Sequence, residues 1–430
     1  MKYCILAAGL GSRNNTISGL HKGLLPIENI PMISHIINKF EKGREIIIAV
    51  GHNSTQIKSY VKFVHSDKKI KFVTVDKFSG KGTGPGYSLL KCKKYLQCPF
   101  VFVPIDTFID KKIKFNVKNN WIGVTKILKQ NSKKYCLIRG KQKLESIYYG
   151  EGNLAYNGIA GIYDYSNFWK SLAKPNLINN EHQVTTAFEG INNVKLKYFK
   201  NFYDTGTEES YLQVKKKFSK EIVFTKNNET IFIDNDKVVK YFSDEIKCKN
   251  RIKRAKYLKD FSLNIKKLNS NMFGYEFITG KLLSDINNND LFSNFLDKYI
   301  KFAIKNNILN DSKRFNNNCK RMYKTKTFER IKIFQNEDID NIKCINGVFV
   351  EPIKKIINKI DWNKIISNAI PANFHGDLQP ENIIISKNNK IFLIDWRESF
   401  GNDLKVGDFY YDLSKLYHGL IINGTIAKEK

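Results

Sequence analysis

The sequence predicts an α/β fold in two domains, and three observations lead to this expectation. The chain has 430 residues, which is too long for one ordinary hydrophobic core. Over residues 1–105, apolar segments alternate with helix-like segments, which is typical of a mostly parallel sheet with helices on both faces. After about residue 220 the pattern restarts with short strands and then becomes mostly helical, as expected of a second, α+β domain.

The predicted elements of the first domain follow one another at short spacing. They are strand Tyr3–Ala7, helix Met32–Lys42, strand Glu45–Val50, helix Gln56–Val64, strand Lys71–Val75, helix Gly86–Tyr95 and strand Phe100–Pro104. Less regular strands continue to Val194–Tyr198, and a helix over Glu208–Phe218 closes the pattern. We therefore expect one domain over residues 1–218 and a second over residues 219–430.

The second domain begins with predicted strands that are separated by turn residues. The strands are Ile222–Thr225, Thr230–Ile233 and Lys237–Phe242, and Asn and Asp residues lie between them. A basic helix over Ile246–Lys259 follows, and the chain is then predicted to be mostly helical to about Ala369. Near its end, Ile383–Ile385 and Ile391–Ile394 form a predicted hairpin.

Composition limits the class of protein. Hydrophobic residues make up 42% of the chain, which is ample for packed cores, and no apolar run reaches the roughly 20 residues that span a bilayer. The seven cysteines are scattered without metal-binding spacing, so we expect a cytoplasmic protein with reduced thiols. The net charge of +31 is spread along the chain, and we expect it to attract nucleotides. Nucleic-acid binding is a weaker alternative, which would show a steep salt dependence.

A glycine-rich turn follows the first predicted strand, in Leu6-Ala7-Ala8-Gly9-Leu10-Gly11-Ser12-Arg13. The backbone N–H groups of such a turn can approach phosphate closely, and Arg13 adds positive charge. Lys22, in Lys22-Gly23-Leu24-Leu25-Pro26, offers a second cation. Asp106 directly follows another predicted strand, so it is expected at the same carboxyl edge of the sheet, where ligands bind.

These motifs resemble those of the sugar-phosphate nucleotidyltransferase family, which includes phosphocholine cytidylyltransferases. The resemblance covers about residues 1–215 and implies a Rossmann-like fold. It also implies a reaction that joins a nucleoside triphosphate to a phosphorylated small molecule and releases pyrophosphate, with Lys22 and Arg13 as catalytic residues. The residues that it implies for nucleotide binding are Leu6, Ala8, Gly9, Gly11, Ser12, Arg13, Lys22, Gly82 and Thr83.

The same resemblance implies a magnesium site and an acceptor pocket. Asp106 and Asp204, the latter in Tyr203-Asp204-Thr205-Gly206-Thr207, match the family's two carboxylates that hold Mg²⁺, a cation that prefers oxygen ligands. The segment from Asn157 to Gly161 resembles the acceptor strand, which implies that Asn157, Gly158 and Gly161 contact the phosphorylated acceptor. Ile105 departs from the glycine that the family often has there. The sequence does not specify the base, and CTP is one candidate.

A second group of motifs lies near the end of the chain. His375-Gly376-Asp377-Leu378 is followed by Asn382 and then by Ile394-Asp395-Trp396. A kinase needs a carboxylate that accepts the proton of the acceptor hydroxyl, and an amide oxygen and a second carboxylate that hold Mg²⁺. Asp377 in the first role, and Asn382 and Asp395 in the second, supply this set.

This set resembles the aminoglycoside phosphotransferase and choline kinase family over about residues 222–430. The resemblance implies a bilobal, protein-kinase-like α+β domain that uses ATP. Lys240 then corresponds to the lysine that holds the α- and β-phosphates, Glu276 lies in the hinge that contacts adenine, and the basic stretch 323–327 faces the acceptor. Three features depart from the family: no glycine-rich loop precedes Lys240, the predicted helix 246–259 contains no glutamate, and Lys430 comes soon after Asp408, as in a minimal or truncated domain.

The leading hypothesis combines both motifs in a bifunctional enzyme. The second domain would phosphorylate a small alcohol, amino-alcohol or sugar with ATP, and the first would attach a nucleotide to the product for surface-polysaccharide decoration. The departures from the kinase pattern favour an alternative, in which the second domain is a non-catalytic binding or regulatory module. The sequence does not indicate the acceptor or the oligomeric state.

Overall fold

The computed structural model describes residues 1–11, 13–109, 115–174, 177–219, 228–261, 263–304, 311–334 and 342–422. The chain divides into two compact units. The first comprises residues 1–243 and 271–274, and the second comprises residues 244–270 and 275–430. Each unit is described by itself below.

The first unit is a mixed α/β structure. Its strands are Lys2–Ala7 (β1), Pro26–Ile27 (β2), Ile30–Pro31 (β3), Ile46–Val50 (β4), Ile70–Thr74 (β5), Phe100–Pro104 (β6), Thr107–Ile109 (β7), Trp121–Lys126 (β8), Leu137–Arg139 (β9), Ser146–Tyr148 (β10), Leu154–Ile162 (β11), Leu177–Ile178 (β12), Glu181–His182 (β13), Lys195–Tyr198 (β14), Phe202–Asp204 (β15), Glu229–Asp234 (β16) and Lys237–Phe242 (β17). Its helices are Met32–Ile37 (α1), Ser54–Val64 (α2), Pro85–Cys92 (α3), Tyr165–Leu172 (α4) and Glu208–Phe218 (α5).

Nine of these strands form the central sheet in the described part of the chain. The order β10-β9-β11-β6-β1-β4-β5 is extended by β8, which pairs with β11, and by β14, which pairs with β8. Strand β1 lies between β4 and β6 and is parallel to both. The register places Leu6 beside Pro104, so the segments that follow β1 and β6 leave the sheet side by side. Fully buried apolar side chains such as Ile5 and Val103 explain why these segments form central strands.

The sequence prediction matches most of this sheet, and two of the four predicted helices end earlier than predicted. The predicted helix from Met32 ends at Ile37, and the N–H of Asn38 caps it by donating to the carbonyls of Ser34 and Ile36. The predicted helix 86–95 changes to a 3-10 turn after Cys92. The predicted strand Ile222–Thr225 lies outside the described residues.

The β16–β17 hairpin packs against the first unit's α2. The ring of Phe232 contacts the Tyr60 ring edge-on, with centroids 5.5 Å apart. At the hairpin turn, the Asn235 side-chain amide lies 3.0 Å from Nδ1 of the buried His65. The Tyr241 hydroxyl donates to the carbonyl of Ser18 over 2.8 Å. Aromatic packing and hydrogen bonds therefore join the hairpin to the body of the first unit.

The second unit is an α+β structure with short strands. Its strands are Lys266–Lys267 (β18), Met272–Glu276 (β19), whose first three residues belong to the first unit, Gly280–Leu282 (β20), Cys344–Ile345 (β21), Val348–Phe349 (β22), Pro371–Asn373 (β23), Ile383–Ser386 (β24), Ile391–Leu393 (β25) and Val406–Asp408 (β26). Its helices are Glu245–Ala255 (α6), Asn289–Ile304 (α7), Ser312–Lys320 (α8), Lys326–Phe334 (α9), Ile353–Asn358 (α10), Trp362–Ser367 (α11) and Phe409–Ile421 (α12). A π-helical turn, Arg321–Thr325, joins α8 to α9.

A buried arginine on α6 organises the interior of the second unit. The Arg254 side chain is fully buried, and its guanidinium donates to the carbonyls of Phe374, Arg397 and Leu404 over 2.6, 3.1 and 2.9 Å. The same guanidinium lies 3.6 Å from the centre of the Phe374 ring. Five N–H donors in a fixed fork allow one side chain to satisfy several carbonyls at once.

Replacing Arg254 by methionine is expected to destabilise the second unit by about 3–5 kcal/mol, because three buried carbonyls lose their donor. Urea unfolding of the full chain measures this loss. The control is Lys253→Met, which changes an exposed neighbour on the same helix. Equal unfolding curves for the two variants would contradict the structural role of Arg254.

Within the described ranges, no helix combines the length and apolar character that crossing a bilayer requires.

Candidate functional site

The glycine-rich segment after β1 forms a tight turn at the edge of the central sheet. Gly11 has φ +69°, a left-handed conformation that favours glycine, and its carbonyl accepts a hydrogen bond from the Asn14 N–H over 3.0 Å. The side chain of Asn14 donates to the carbonyls of Thr205 and Thr207. This links the turn to the segment that carries Asp204.

The other predicted nucleotide-binding residues of this segment differ in how buried they are. Leu6 and Ala8 are buried at the edge of the sheet. The Leu6 carbonyl accepts a hydrogen bond from the Ile105 N–H, and the Ala8 carbonyl accepts one from the His52 N–H. Gly9 has open space around it, and Arg13 is exposed. Ser12 lies outside the described residues.

A buried histidine fixes the loop that carries Lys22. The Nδ1 atom of His21 accepts from the Gly23 N–H over 3.0 Å, so its Nε2–H donates to the carbonyl of Ala7 over 3.1 Å. This arrangement requires the neutral ring. Burial, together with the adjacent Lys22 charge, lowers the pKa of His21 to about 4.

The pKa of His21 predicts acid sensitivity in the first unit. The unfolded chain, with an ordinary pKa near 6.5, takes up the proton first, so this stabilisation is complete above pH 6.5 and is lost as the pH falls towards 4. Between pH 7 and pH 5 the expected loss is about 2 kcal/mol. Urea unfolding at both pH values measures it, and His21→Gln should weaken the dependence, whereas His52→Gln should not.

Two carboxylates and two cations converge next to this turn. The Lys22 ammonium lies 2.9 Å from the Asp106 carboxylate. Asp204 is close to Asp106, because both the N–H and the hydroxyl of Thr205 donate to the Asp106 carbonyl over 3.0 Å. Arg13 acts on both carboxylates electrostatically. The structure thus brings together four residues that are separate in the sequence.

The pKa values of the two carboxyl groups move in opposite directions. Burial acts to raise the pKa of Asp106, but the charges of Lys22 and Arg13 outweigh it, so the pKa is lowered. Burial raises the pKa of Asp204, and the neighbouring Asp106 charge raises it further. The positive charges of the protein therefore balance the negative charges of Asp106 and Asp204 only in part.

This donor set fits Mg²⁺. A divalent cation would relieve the repulsion between Asp106 and Asp204, and Mg²⁺ keeps several waters, so two protein carboxylates suffice. Among the described residues there is no group of three or more histidine, cysteine or acidic side chains that could form a closed metal site. The arrangement thus suits a cation that is shared with a substrate.

The loop of residues 80–84, which carries the predicted nucleotide-binding residues Gly82 and Thr83, precedes α3. Gly82 has φ +83°, and its N–H donates to the Asn180 carbonyl over 2.8 Å. The Thr83 hydroxyl donates to the Gly80 carbonyl, and the Thr83 carbonyl accepts from the His182 N–H. The β12–β13 hairpin therefore holds this loop from one side.

The predicted acceptor residues lie on β11, beside a bulge. Asn157 is buried, and its side-chain nitrogen has no hydrogen-bond partner in the described structure. Both glycines allow close packing: a Cβ on Gly158 would lie 2.5 Å from Pro104, and one on Gly161 would lie 2.2 Å from the Trp121 indole nitrogen. Packing alone thus accounts for the two glycines, whereas Asn157 keeps a donor available.

In the second unit, a loop after β23 presents Asp377. The carboxylate of Asp412 accepts from the N–H groups of His375 and Gly376, both over 2.7 Å, and also from the Tyr299 hydroxyl. The Nε2 atom of His375 donates to the Ile394 carbonyl over 2.9 Å. These contacts fix the loop that ends in Asp377.

The three predicted kinase residues come from segments that are hydrogen-bonded to each other. The Asn382 side chain donates to the Asp377 carbonyl over 2.8 Å, and the Ile394 N–H donates to the Asn382 carbonyl over 2.9 Å. Asp395, the next residue, has φ +59°, a left-handed conformation that is uncommon in residues other than glycine, asparagine and aspartate. Its carboxylate lies 3.3 Å from the guanidinium of Arg251 on α6.

The remaining predicted nucleotide-binding residues, Lys240 and Glu276, belong to different units. Lys240 is a buried residue of β17 in the first unit. Glu276 ends β19 in the second unit and is exposed. Glu245, the first residue of α6, accepts a hydrogen bond from Ser270 over 2.7 Å.

Sequence reasoning missed several residues that hold these loops. They are Asn14, His21, Tyr135, Arg254, Tyr299 and Asp412. Burial, together with the neighbouring Asp204 charge, raises the pKa of Tyr135. His21 and His375 have equivalent roles, since each lies one or two residues before a predicted site residue and its ring bonds to two backbone groups. A histidine directly before Lys22 was the sequence feature that could have indicated the role of His21.

Comparisons with known proteins concern the first unit. Residues 3–113 match the family described as MobA-like NTP transferase domain. No curated protein sequence matches the chain. The N-terminal region thus contains a domain of the nucleotidyltransferase kind.

Solved structures of three transferases are similar to about half of the chain. A UDP-glucose pyrophosphorylase complexed with UDP-glucose has a TM-score of 0.45 and 19% identity, and the match covers 51% of this chain and 98% of that one. The CTP:phosphocholine cytidylyltransferase from Streptococcus pneumoniae has a TM-score of 0.42 and 18% identity, with 51% and 99% covered. The inositol-1-phosphate CTP transferase from T. maritima has a TM-score of 0.40 and 14% identity, with 52% and 97% covered.

Proposed function

We propose that the first unit transfers a nucleotidyl group from a nucleoside triphosphate to a phosphorylated small molecule. The observation that carries this proposal is the convergence of Asp106, Asp204, Lys22 and Arg13 at the edge where β1 and β6 end. An edge of this kind is the common ligand-binding place in parallel sheets. The match to NTP transferases over residues 3–113 supports the same reaction.

In the proposed reaction, a phosphate oxygen of the acceptor attacks the α-phosphorus of the nucleotide. The bond to the β-phosphate breaks, and pyrophosphate leaves. Lys22 and Arg13 bind the triphosphate by charge and orient it. Mg²⁺, held by Asp106 and Asp204, would offset the negative charge that develops on the phosphates. The unpartnered Asn157 amide would donate to the acceptor.

For the second unit we propose an ATP-dependent kinase that supplies the phosphorylated acceptor from a small hydroxylated molecule. Asp377 would accept the hydroxyl proton as the γ-phosphate is transferred, while Asn382 and Asp395 would hold Mg²⁺. Glu276, in the same unit, would contact the adenine of ATP. We place the bifunctional enzyme in the cytoplasm, since its seven cysteines are free thiols, and in surface-polysaccharide decoration.

A coupled assay tests the two-step order. The full chain is supplied with ATP, a second triphosphate such as CTP, and unphosphorylated alcohols, amino-alcohols or sugars, and pyrophosphate release is followed. Pyrophosphate should appear only when ATP is present. Its formation from an unphosphorylated acceptor without ATP would contradict the proposed order of steps.

A second candidate function is that the second unit only binds a ligand and regulates the transferase. The exposed position of Glu276 and the interaction of Glu245 with Ser270 favour this candidate, because neither matches the nucleotide-binding pattern expected of a kinase. If it is correct, pre-phosphorylated acceptors should react and unphosphorylated ones should not, with or without ATP.

A further inference from the structure

Two basic side chains lie near the loop that carries Asp377 in the second unit. The Lys415 ammonium, on α12, lies 3.3 Å from the Asp377 carboxylate. The backbone N–H of Arg397 donates to the His375 carbonyl over 3.0 Å, and its guanidinium lies 3.4 Å from the hydroxyl of Tyr411, one turn before Lys415 on the same helix. Lys415 therefore contacts the predicted proton acceptor, and Arg397 contacts both the loop and the helix that present this pair.

Helix α9 adds two more cations to this group. Lys326 begins the helix and is half-buried, and Arg330 lies one turn later on the same face. Lys326 interacts electrostatically with Arg330, Arg397 and Lys415, and burial together with these charges lowers its pKa to about 8. We call Lys326, Arg330, Arg397 and Lys415 the basic cluster.

Among the described residues, the only ion pair of the basic cluster joins Lys415 to Asp377. Glu398 acts on Lys326 electrostatically, but it also lies 3.5 Å from the guanidinium of Arg251. The π-helical turn Arg321–Thr325 directly precedes Lys326 and fixes where α9 begins, and such turns are frequent at functional sites. Holding like charges together is unfavourable unless a ligand compensates for them.

We propose that the acceptor of the second unit is an anion, namely a hydroxyl compound that already carries a phosphate or carboxylate group. The inference rests on the proposed kinase function and selects among the acceptor classes left open by the sequence. The basic cluster would bind the anionic group and direct the hydroxyl towards Asp377. An amino-alcohol would be repelled by the same charges.

Matched three-carbon and two-carbon alcohols test this proposal on the full chain with ATP and Mg²⁺. Glycerol 3-phosphate and glycerate are the anionic probes, glycerol is the neutral one, and ethanolamine is the cationic one. ADP release should show a kcat/KM for an anionic probe about tenfold or more above those for glycerol and ethanolamine. A preference for ethanolamine or glycerol would overturn the proposal.

Variants that remove one positive charge test which side chains bind the anionic group of the acceptor. Lys326→Gln and Arg330→Gln should each raise KM for the anionic probe about tenfold and leave KM for ATP unchanged. The control is Lys298→Gln, an exposed lysine on α7. A rise in KM for ATP with no change for the probe would show that the cluster binds the nucleotide, which overturns the proposal.

Calorimetry without ATP separates this proposal from the kinase function itself. If no alcohol is phosphorylated, the kinase proposal fails. The anion site would still be supported if the protein binds glycerol 3-phosphate or glycerate and if Lys326→Gln, but not Lys298→Gln, weakens this binding. The anion-site proposal would be overturned if the natural protein and the two variants bind these anions equally well, or if the natural protein binds neither anion.

Discussion

Asp204→Asn is expected to lower the rate of nucleotidyl transfer about a thousandfold. The carboxylate is one of two that we propose to hold Mg²⁺ beside the triphosphate, and asparagine keeps the shape of the side chain while removing its charge. Pyrophosphate release from a pre-phosphorylated acceptor measures the loss. Raising the Mg²⁺ concentration should recover part of the activity, because the weakened site is the metal site.

Stability separates this effect from unfolding. Burial and the Asp106 charge raise the pKa of Asp204, so the ionised carboxylate is unfavourable in the folded protein. The variant should therefore unfold at the same temperature as the natural protein or slightly above it. Glu209→Gln, an exposed carboxylate on the same segment, is the matched control and should keep full activity. More than a tenth of the natural rate in Asp204→Asn would contradict the metal role.

Asp377→Asn is expected to abolish ATP-dependent phosphorylation, with a loss of about a thousandfold. The asparagine side chain cannot accept the hydroxyl proton, although the loop that carries it stays fixed by Asp412. ADP release with an unphosphorylated acceptor measures this loss. Nucleotidyl transfer to a pre-phosphorylated acceptor should be unchanged.

The same variant distinguishes the two candidate functions of the second unit. If that unit is a non-catalytic module, the overall yield of nucleotide-linked product should not change in Asp377→Asn. Asp297→Asn serves as the control, because this exposed residue lies on α7 of the same unit. Loss of both activities in Asp377→Asn alone would instead indicate that the loop has a structural role across the whole enzyme.

Local sequence patterns were sufficient for the strands of the central sheet. Segments such as Phe100–Pro104 are apolar throughout, because both of their faces are buried, and turn residues bound them on either side. Glycine and acidic residues placed directly after these strands were therefore enough to predict which side chains meet at the sheet edge. Asp106 and Asp204 are close because β7 and β15 pair, and this pairing was not predicted. The resemblance implied only that the two carboxylates share a magnesium site.

Contacts between distant segments could not be predicted from local patterns. In the sequence, Arg254 is one of several basic residues of a predicted basic helix. In the structure it is buried and donates to carbonyls about 120 or more residues further along the chain. Asp412 is likewise inconspicuous, and its role depends on the backbone of a loop from another segment. Contacts of this kind leave no periodic pattern in the sequence, because they depend on how whole helices and strands pack against each other.

The hairpin formed by β16 and β17 also illustrates this limit. The sequence predicts its turn at Asp234-Asn235, whereas in the structure Asp234 ends β16 and the turn is formed by Asn235 and Asp236, both with positive φ. Its packing against α2 was not predicted, because it depends on Phe232 meeting Tyr60 across more than 150 residues of sequence.

That packing has a practical consequence for dissecting the enzyme into separately produced pieces. A fragment cut after Phe218 would expose the Tyr60 ring to solvent and remove the amide that bonds to His65, which favours aggregation. A fragment that extends to Ser243 retains both. The longer fragment is therefore the better starting point for expressing the transferase alone.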